Sequence, residues 1–331
     1  MAQKLVDKVK ALDATAARKV ASFLGAVVAD AACLHLEWIY DQDKVSKIVP
    51  SGEEPAFWKE SCNPFFSLPN GKVSCYADEA VQSLIAMDKN ERQFDAAKVI
   101  QQFHEHFGAA DSPYQVALAK RKDKKYPIEG PWIQGAMISM MDRAKAGMNP
   151  PGPDDAREHD GLATALPLIV QMGSAYDESK LKNAFEIMTQ DPFAIEHHQA
   201  EAFLIGKFIE GSPADPLEAT KEKFPSISEE ISIVQKEKSE GATPQALVKK
   251  FGMACPMPGS FQSSLVSIIG ADSYADAIRE TMLCGGDCCS RSVLIGACLG
   301  AKFGIDGIPT EWLNKVENMD ELFERSIRCF S

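Results

Sequence analysis

Apolar residues recur at steps of three and four along most of this chain, which is the spacing of amphipathic α-helices. Few stretches alternate with the period of two that is typical of half-buried strands. Clusters of Pro, Gly and Asn interrupt the helical pattern, for example at 50–55 and 148–153. We therefore predict an all-α fold, a compact bundle of many helices. The predicted helical segments are 15–41, 78–107, 130–147, 179–190, 193–210, 215–223 and 289–304.

The organisation of the chain favours a single domain over residues 1–331. No long low-complexity linker divides the sequence, and no repeat of about 20–50 residues is visible, which disfavours a solenoid. The first 15 residues are rich in charge, and we expect residues 1–15 to form a loose N-terminal helix.

The charge balance limits the classes of partner. Lys and Arg number 35 against 47 Asp and Glu, so the net charge is −12. A surface of that sign repels phosphate backbones and anionic lipids, and we expect neither nucleic acid nor a membrane as a partner. The N-terminal segment is charged and the apolar runs stay short of the roughly 18 residues that cross a bilayer, which predicts a cytoplasmic location. Nine cysteines without zinc-finger spacing indicate reduced thiols. The oligomeric state is left open.

The segment 25–41, GAVVADAACLHLEWIYD, places two carboxylates in an apolar helical pattern. Asp30 and Glu37 are seven residues apart and so share nearly the same helix face. A buried carboxylate is costly unless it is hydrogen-bonded, paired or metal-bound, so the spacing suggests an acidic cleft. The alternative is that Asp30 caps or pairs locally and that Glu37 is solvated.

The segment 71–84, GKVSCYADEAVQSL, carries Asp78 and Glu79 in the first turn of a predicted helix. Acidic residues there suit the helix dipole, which is a purely structural explanation. Carboxylates at a helix end can also bind hard cations such as Mg²⁺. The spacing alone leaves both explanations open.

The segment 283–301, LCGGDCCSRSVLIGACLGA, is the most unusual string in the chain. Its Gly pair predicts a tight turn, and its small residues predict a closely packed helix. Cys288 and Cys289 follow Asp287 at the start of that helix, where a thiol pKa tends to be lowered, so one of them could be a nucleophile or a redox site. Alternatively, both cysteines are small apolar core residues.

The histidines and the basic run carry weaker signals. His197 and His198 lie in a polar-faced helical pattern, and we expect both on the surface, as we do for His104 and His106. His159 could line the cleft. The Lys-rich run 120–127 is predicted to be a solvated loop.

Together these segments resemble the ADP-ribosylglycohydrolase superfamily. The segment 25–41 is similar to its opening helix, with the approximate pattern G-A-x-x-G-D-A-x-G-x-x-x-E, and 261–313 is similar to its closing block, a GGDTDT turn followed by a small-residue helix and I-P-x-x-W. CYADE at 75–79 and HDGLATALPL at 159–168 stand near the places of its T-D-D-T and central blocks. Within the superfamily, LEWIYD and the cysteine-bearing turn are most similar to the branch that contains the J1-crystallins of jellyfish lenses and selenoprotein J.

The resemblance implies a compact multi-helix fold and, in hydrolytic members, two Mg²⁺ ions held by the T-D-D and D-x-D-T motifs. Carried over to this sequence, Asp78 and Asp287 retain one carboxylate of each motif, and Ser290 stands in for the closing Thr. Ala77 and Cys289 replace the other two carboxylates. A thiol is a soft ligand that matches Mg²⁺ poorly, so the resemblance implies weak magnesium binding at most and no certain cofactor.

Three further positions follow from the resemblance. Glu37 corresponds to the acidic residue that contacts ribose and water in some members, and Asp30 corresponds to the Asp of the opening motif. Glu79 stands where it could restore one oxygen ligand of the metal site. The candidate site is therefore Glu37 and Cys289 for catalysis, with metal-ligand candidates Asp78, Glu79, Asp287 and Ser290. The ligand that the resemblance implies is an ADP-ribose-like small molecule.

Two functional hypotheses remain. In the first, the chain is a J1-crystallin-like structural protein, such as an eye lens protein, whose fold has lost ligands of the di-magnesium site. Its acidic net charge suits a protein that stays soluble when concentrated. In the second, the cleft is active, either as an ADP-ribosyl hydrolase with altered metal use or as a thiol-dependent redox enzyme using Cys288 and Cys289. The sequence favours the first, because Ala77 and Cys289 weigh against ordinary magnesium-dependent hydrolysis.

Overall fold

A computed structural model describes residues 2–331 and confirms the all-α prediction. Within those residues the chain forms 18 α-helices. They are α1 (Ala2–Lys10), α2 (Ala14–Cys33), α3 (Gln42–Ile48), α4 (Cys75–Lys89), α5 (Ala96–His106), α6 (Pro113–Lys120), α7 (Gly135–Lys145), α8 (Asp160–Met172), α9 (Glu178–Phe185), α10 (Pro192–Glu210), α11 (Pro216–Lys223), α12 (Ser228–Ser239), α13 (Pro244–Phe251), α14 (Gly259–Ile268), α15 (Tyr274–Leu283), α16 (Cys288–Phe303), α17 (Thr310–Leu313) and α18 (Met319–Phe330).

Strand structure is minimal in the described residues. The strands β1 (Phe66–Ser67) and β2 (Ile128–Glu129) pair in parallel, with Phe66 opposite Ile128. Three 3₁₀ turns occupy Leu34–Leu36, Arg121–Asp123 and Ile305–Gly307. The sheet is far too small to organise a core, so helix packing determines the fold.

Helices α2 and α16 form the centre of the molecule and pack against each other more extensively than any other described pair. A methyl group on Gly25 would overlap the carbonyl oxygen of Gly296, so only glycine allows this approach of the two backbones. Nearly every residue from Val20 to Cys33 is buried. The small residues noted at 296–301 therefore serve helix packing.

The segment Ala14–Leu36 is 23 residues long and, by length and composition, apolar enough to span a membrane. That corrects the expectation that every apolar run in the chain is too short. In the structure this segment is α2 with the following 3₁₀ turn, and it lies buried among the other helices. Its apolar character is explained by its place in the core.

Two predicted helices end earlier than the periodicity indicated. The segment 15–41 leaves the α-helix at Cys33, and Trp38 takes a left-handed conformation with φ of 62°. The segment 78–107 is two helices, because Glu91 and Arg92 both have positive φ and Asp95 caps a new helix by accepting from Lys98 N. Apolar periodicity continued across both breaks, which is why the sequence did not reveal them.

The N-terminal segment forms α1, which buries Leu5, Val6 and Val9. These three side chains face the core from one side of the helix, whereas Lys4, Asp7 and Lys8 lie outside. The charge noted at residues 1–15 therefore belongs to the solvent face of an amphipathic helix.

Candidate functional site

The candidate site lies where the chain leaves α2 and where α16 begins. Trp38 N donates to Gly286 O at 2.8 Å, and Gly286 N donates to Ile39 O at 2.8 Å. This short bridge holds the segment after Glu37 against the turn before Asp287. Gly285 and Gly286 have φ of 71° and 75°, and a side chain on Gly286 would overlap the backbone of Met253. The Gly pair thus makes the tight turn that the sequence predicted.

Glu37 lies against the first turn of α16. Its Oε2 accepts a hydrogen bond from Cys289 N at 2.8 Å and one from the Cys288 thiol at 3.2 Å. Its Oε1 is buried and has no hydrogen-bond partner. The Glu37 side chain and both thiols are buried, with exposed fractions of 1% or less. The structure therefore brings the two catalytic candidates, Glu37 and Cys289, into direct contact.

The surroundings shift the pKa values of the Cys288 and Cys289 thiols in opposite directions. Burial raises the pKa of Cys289 well above its ordinary value, and its thiol donates to the carbonyl oxygen of Asp30 at 3.6 Å. Burial also opposes ionisation of Cys288, but hydrogen bonding from Cys289 and Cys33 and the charge of Arg291 outweigh it and lower the pKa of Cys288. Of the vicinal pair, Cys288 is therefore the thiol that ionises more readily.

The surroundings of Glu37 favour the protonated form of its carboxyl group. Burial raises the pKa of Glu37 well above its ordinary value, and the nearby Asp287 and Cys288 add to that shift. In the protonated form, Glu37 has one carboxyl oxygen that donates a hydrogen bond.

Asp287 is the N-cap of α16. Its Oδ1 accepts from Ser290 N at 3.1 Å, and its Oδ2 accepts from the Tyr76 hydroxyl at 3.2 Å. The Ser290 hydroxyl donates to the backbone oxygen of Asp287 at 3.2 Å, so its hydrogen is used within the turn. Asp287 and Ser290 thus lie together, as the sequence implied, but both oxygens of the carboxylate have protein donors.

At the start of α4, Ser74 and Tyr76 face Asp30 and Asp287, whereas the sequence predicted Asp78 and Glu79 in that place. Ser74 caps the helix and binds Asp30, with Ser74 N at 2.6 Å from Oδ1 and Ser74 Oγ at 2.5 Å from Oδ2. Tyr76 reaches Asp287. Burial raises the pKa of Asp30 to about 7 despite the donors on Ser74. The carboxylate of Asp30 therefore positions α4 against α2.

Asp78 does not converge with Glu37 and Asp287, contrary to our expectation. Its carboxylate accepts from His106 Nε2 at 2.8 Å, Tyr114 Oη at 2.7 Å and Gln82 Nε2 at 3.0 Å. Although burial opposes it, these donors keep the pKa of Asp78 below its usual value. Asp78 lines a separate cavity of about 330 Å³ whose lining includes neither Glu37 nor Asp287. Successive helix positions differ by about 100°, so the predicted register placed this carboxylate on the wrong side of α4.

Glu79 lies in a different acidic pair, with Asp160 at the start of α8. Burial raises the pKa of Asp160 to about 8 and that of Glu79 well above its ordinary value, and each carboxyl group acts on the other. Both oxygens of Asp160 and Oε1 of Glu79 are buried without a hydrogen-bond partner. Our sequence reasoning did not select Asp160. The signal was available, because Asp160 opens the apolar run GLATALPLIV just as Asp30 interrupts that of α2.

The prediction of surface positions for His197 and His198 is wrong. Both are buried on α10, and His198 Nδ1 bonds Glu201 Oε2 at 2.9 Å. His159 Nε2 bonds the other oxygen of Glu201 at 2.7 Å. The carboxylate between two imidazoles has its pKa lowered to about 2, although burial alone would raise it. Helix α10 is packed on several sides, which its sequence pattern did not reveal.

The two magnesium ions of hydrolytic relatives do not fit this donor set. Mg²⁺ prefers octahedral oxygen ligands, several of them water. Beside Asp287 the structure places the thiols of Cys288 and Cys289 and the hydroxyl of Tyr76, which donates to the carboxylate. The remaining hard ligands, Glu79 and Asp160, are buried carboxyl groups with raised pKa values, so Mg²⁺ would have to displace their protons to bind there.

Comparison with known proteins gives matches over nearly the whole chain. The sequence model described as ADP-ribosylglycohydrolase matches residues 11–330. Crystallin J1A and crystallin J1B of Tripedalia cystophora are each 25% identical to the chain over 309 residues, which is 93% of this chain and 94% of each crystallin. A solved structure titled "ADP-ribosylglycohydrolase-related protein complex" superposes with a TM-score of 0.66 at 17% identity, covering 96% of this chain and 99% of that one.

Proposed function

Because this chain belongs to the ADP-ribosylglycohydrolase family, we propose that it is a J1-crystallin-like structural member that does not catalyse magnesium-dependent hydrolysis. The observation that carries the proposal is the state of Asp287. Both of its carboxylate oxygens accept hydrogen bonds from the protein, and the side chains beside it are thiols and a phenol. Binding Mg²⁺ there requires breaking those bonds without gaining carboxylate ligands.

The closed surroundings support the same proposal. Glu37, Asp287 and Cys289 each have an exposed fraction of 1% or less. The cavity of about 330 Å³ beside Asp78 has neither Glu37 nor Asp287 in its lining. A substrate the size of ADP-ribose needs an open cleft that buries most of it, so the acidic centre is poorly placed to receive one.

A structural role suits the rest of the molecule. The net charge of −12 keeps copies of the chain apart in solution, and one large apolar core spans almost all the helices. The similarity to crystallins J1A and J1B covers nearly the whole chain. We therefore also propose that the protein stays soluble at high concentration in a reducing, cytoplasmic environment, which suits its many buried thiols.

The direct test is an assay of ADP-ribose release from ADP-ribosylated arginine and protein substrates with Mg²⁺, alongside an active family hydrolase. We expect release no faster than in the protein-free control. Light scattering over rising protein concentration should show no aggregates. Turnover at rates typical of enzymes, about 1 s⁻¹ or more, would contradict the proposal.

A hydrolase with altered metal use is the second candidate, and one observation favours it. Three oxygens of Glu79 and Asp160 are buried without a hydrogen-bond partner, and a cation that displaced the protons of these carboxyl groups would satisfy them. The same assay with Mn²⁺ tests this candidate. Release of ADP-ribose that Asp160→Asn abolishes and the exposed Asp155→Asn leaves intact would support it over the structural role.

A further inference from the structure

We propose that Glu37, Cys288 and Cys289 form a binding site for a soft divalent cation, with Zn²⁺ as the expected ion. One carboxylate oxygen and the two Sγ atoms all lie within 4.8 Å of one another. This spacing allows one ion to contact all three, since Zn–S and Zn–O bonds are about 2.0–2.3 Å long. The donor set differs from that of a magnesium centre in its two sulfur ligands.

The unpartnered oxygen of Glu37 is the second observation that points to a cation. Glu37 Oε2 is occupied by the backbone N–H of Cys289 and the thiol of Cys288, whereas Oε1 has no partner although it is buried. A buried polar atom without a partner costs about 1–3 kcal/mol, and a metal bond removes that cost. The backbone donor on Oε2 fixes the orientation of the carboxylate toward the thiols.

No protein cation donates a hydrogen bond to this cluster among the described residues, although the charge of Arg291 lowers the pKa of Cys288. The nearest buried one, Arg291, donates to Thr281 Oγ1, to Thr281 O and to the carbonyl oxygens of Gly285 and Met253. Its donors are used on neutral acceptors in the turn. Burial opposes the charged forms of Glu37 and Cys289, and a divalent ion would supply the counter-charge that ligation by their ionised forms requires.

The position of the cluster in the fold makes it a preformed site. Cys288 and Cys289 are fixed by α16, and Glu37 is fixed by the bridge between Trp38 and Gly286. Cys33, at the end of α2, lies beside Cys288 and is a candidate for the fourth ligand of a tetrahedral ion. Ligation replaces every proton that Glu37, Cys288 and Cys289 carry, so each Zn²⁺ releases up to three protons to solvent as two Zn–S bonds and one Zn–O bond form.

The test uses the full chain, stripped of metal with a chelator and titrated first with Co²⁺ and then with Zn²⁺. Co²⁺ bound to thiolates gives a sulfur-to-metal charge-transfer band, and tetrahedral Co²⁺ gives intense visible bands. We expect both, at one ion per chain, and we expect Zn²⁺ but not Mg²⁺ to abolish them. Because the cluster is closed to solvent, the titration is repeated on protein refolded with Co²⁺.

The variants identify the ligands. Cys288→Ser and Cys289→Ser should each reduce the charge-transfer band and weaken Zn²⁺ binding by at least about tenfold. Cys298→Ser is the matched control, since Cys298 is equally buried on the same helix but outside the cluster. Circular dichroism reports whether each variant is folded.

Two results would overturn the proposal. One is a folded unmodified protein that shows no charge-transfer band by either route, a measurement that depends on no variant. The other is a band that survives Cys288→Ser and Cys289→Ser combined. The site does not depend on the absence of hydrolysis, which the ADP-ribose assay measures separately.

Discussion

The Tyr76 hydroxyl, on α4, donates a hydrogen bond to Asp287 Oδ2, at the start of α16, over 3.2 Å. Both side chains have an exposed fraction of 0%. This bond joins the two helix starts that correspond to the metal-binding motifs of hydrolytic relatives. The Asp287 carboxylate therefore has a buried hydroxyl donor from a second helix.

Tyr76→Phe should destabilise the fold. The variant leaves the buried Asp287 carboxylate with one donor fewer, and we expect the free energy of unfolding to fall by about 1–3 kcal/mol. Urea denaturation measures it. Tyr126→Phe is the control, because the Tyr126 side chain is exposed and its variant should change stability by less than about 0.5 kcal/mol. Equal free energies of unfolding for the two variants would show that the Tyr76–Asp287 hydrogen bond does not stabilise the fold.

Gly25→Ala should be among the more damaging single-methyl changes. The added carbon would overlap Gly296 O, and α2 and α16 would have to separate, which we expect to cost about 1–3 kcal/mol. Gly135→Ala is the matched control, since no atom lies within 4 Å of its added carbon. That variant should be neutral or more stable by up to about 1 kcal/mol. Thermal unfolding distinguishes the two, and a stable Gly25→Ala protein would contradict the close helix packing.

Stability should fall as the pH rises from about 4 to about 8. Asp160 has its pKa raised from 3.8 to about 8, so the folded state retains a proton that the unfolded state loses. The stabilisation of the folded state by Asp160 is therefore present in full below pH 3.8 and is lost as the pH rises through about 8. Asp160→Asn should reduce the slope of the free energy of unfolding against pH by up to about 1.4 kcal/mol per pH unit. Asp155→Asn, at an exposed site, should leave the slope unchanged.

Glu201→Gln should unfold the protein more readily at neutral pH. The carboxylate holds two imidazoles in a fully buried cluster, and breaking such a pair costs about 3–5 kcal/mol. The pKa of Glu201 is lowered from 4.5 to about 2, so its stabilisation is present above pH 4.5 and lost as the pH falls through about 2. Glu230→Gln, which affects the partly exposed pair with His197, should cost about 1 kcal/mol or less.

A brief iodoacetamide pulse on the folded protein should label Cys62 first and Cys255 more slowly, because burial and the nearby Asp287 strongly raise the pKa of Cys255. These two are partly exposed, whereas Cys288 and Cys289 have exposed fractions of 0%. Reaction requires access as well as ionisation, so the lowered pKa of Cys288 should not make it fast. Mass-spectrometric mapping gives the order. Early labelling at Cys288 or Cys289 would favour the thiol-dependent redox enzyme over the structural role.

The sequence by itself determined the helical class, the Gly285–Gly286 turn and the placing of Asp287 at the start of α16. These follow from local rules, because side-chain periodicity, a Gly pair with positive φ and an N-cap each depend on a few neighbouring residues. The resemblance to a family added the association of Glu37 with Asp287, which lie 250 positions apart.

Only the tertiary structure decided which carboxylates meet. Two steps along α4 turn a side chain by about 200°, so Tyr76 reaches Asp287 whereas Asp78 binds His106 and Tyr114. Burial was decided in the same way: His198 and Glu201 look like members of a polar face, yet neighbouring helices enclose both. Apolar periodicity tells which side of a helix faces a partner, but the number of partners around it and the pKa values that follow depend on contacts between distant segments.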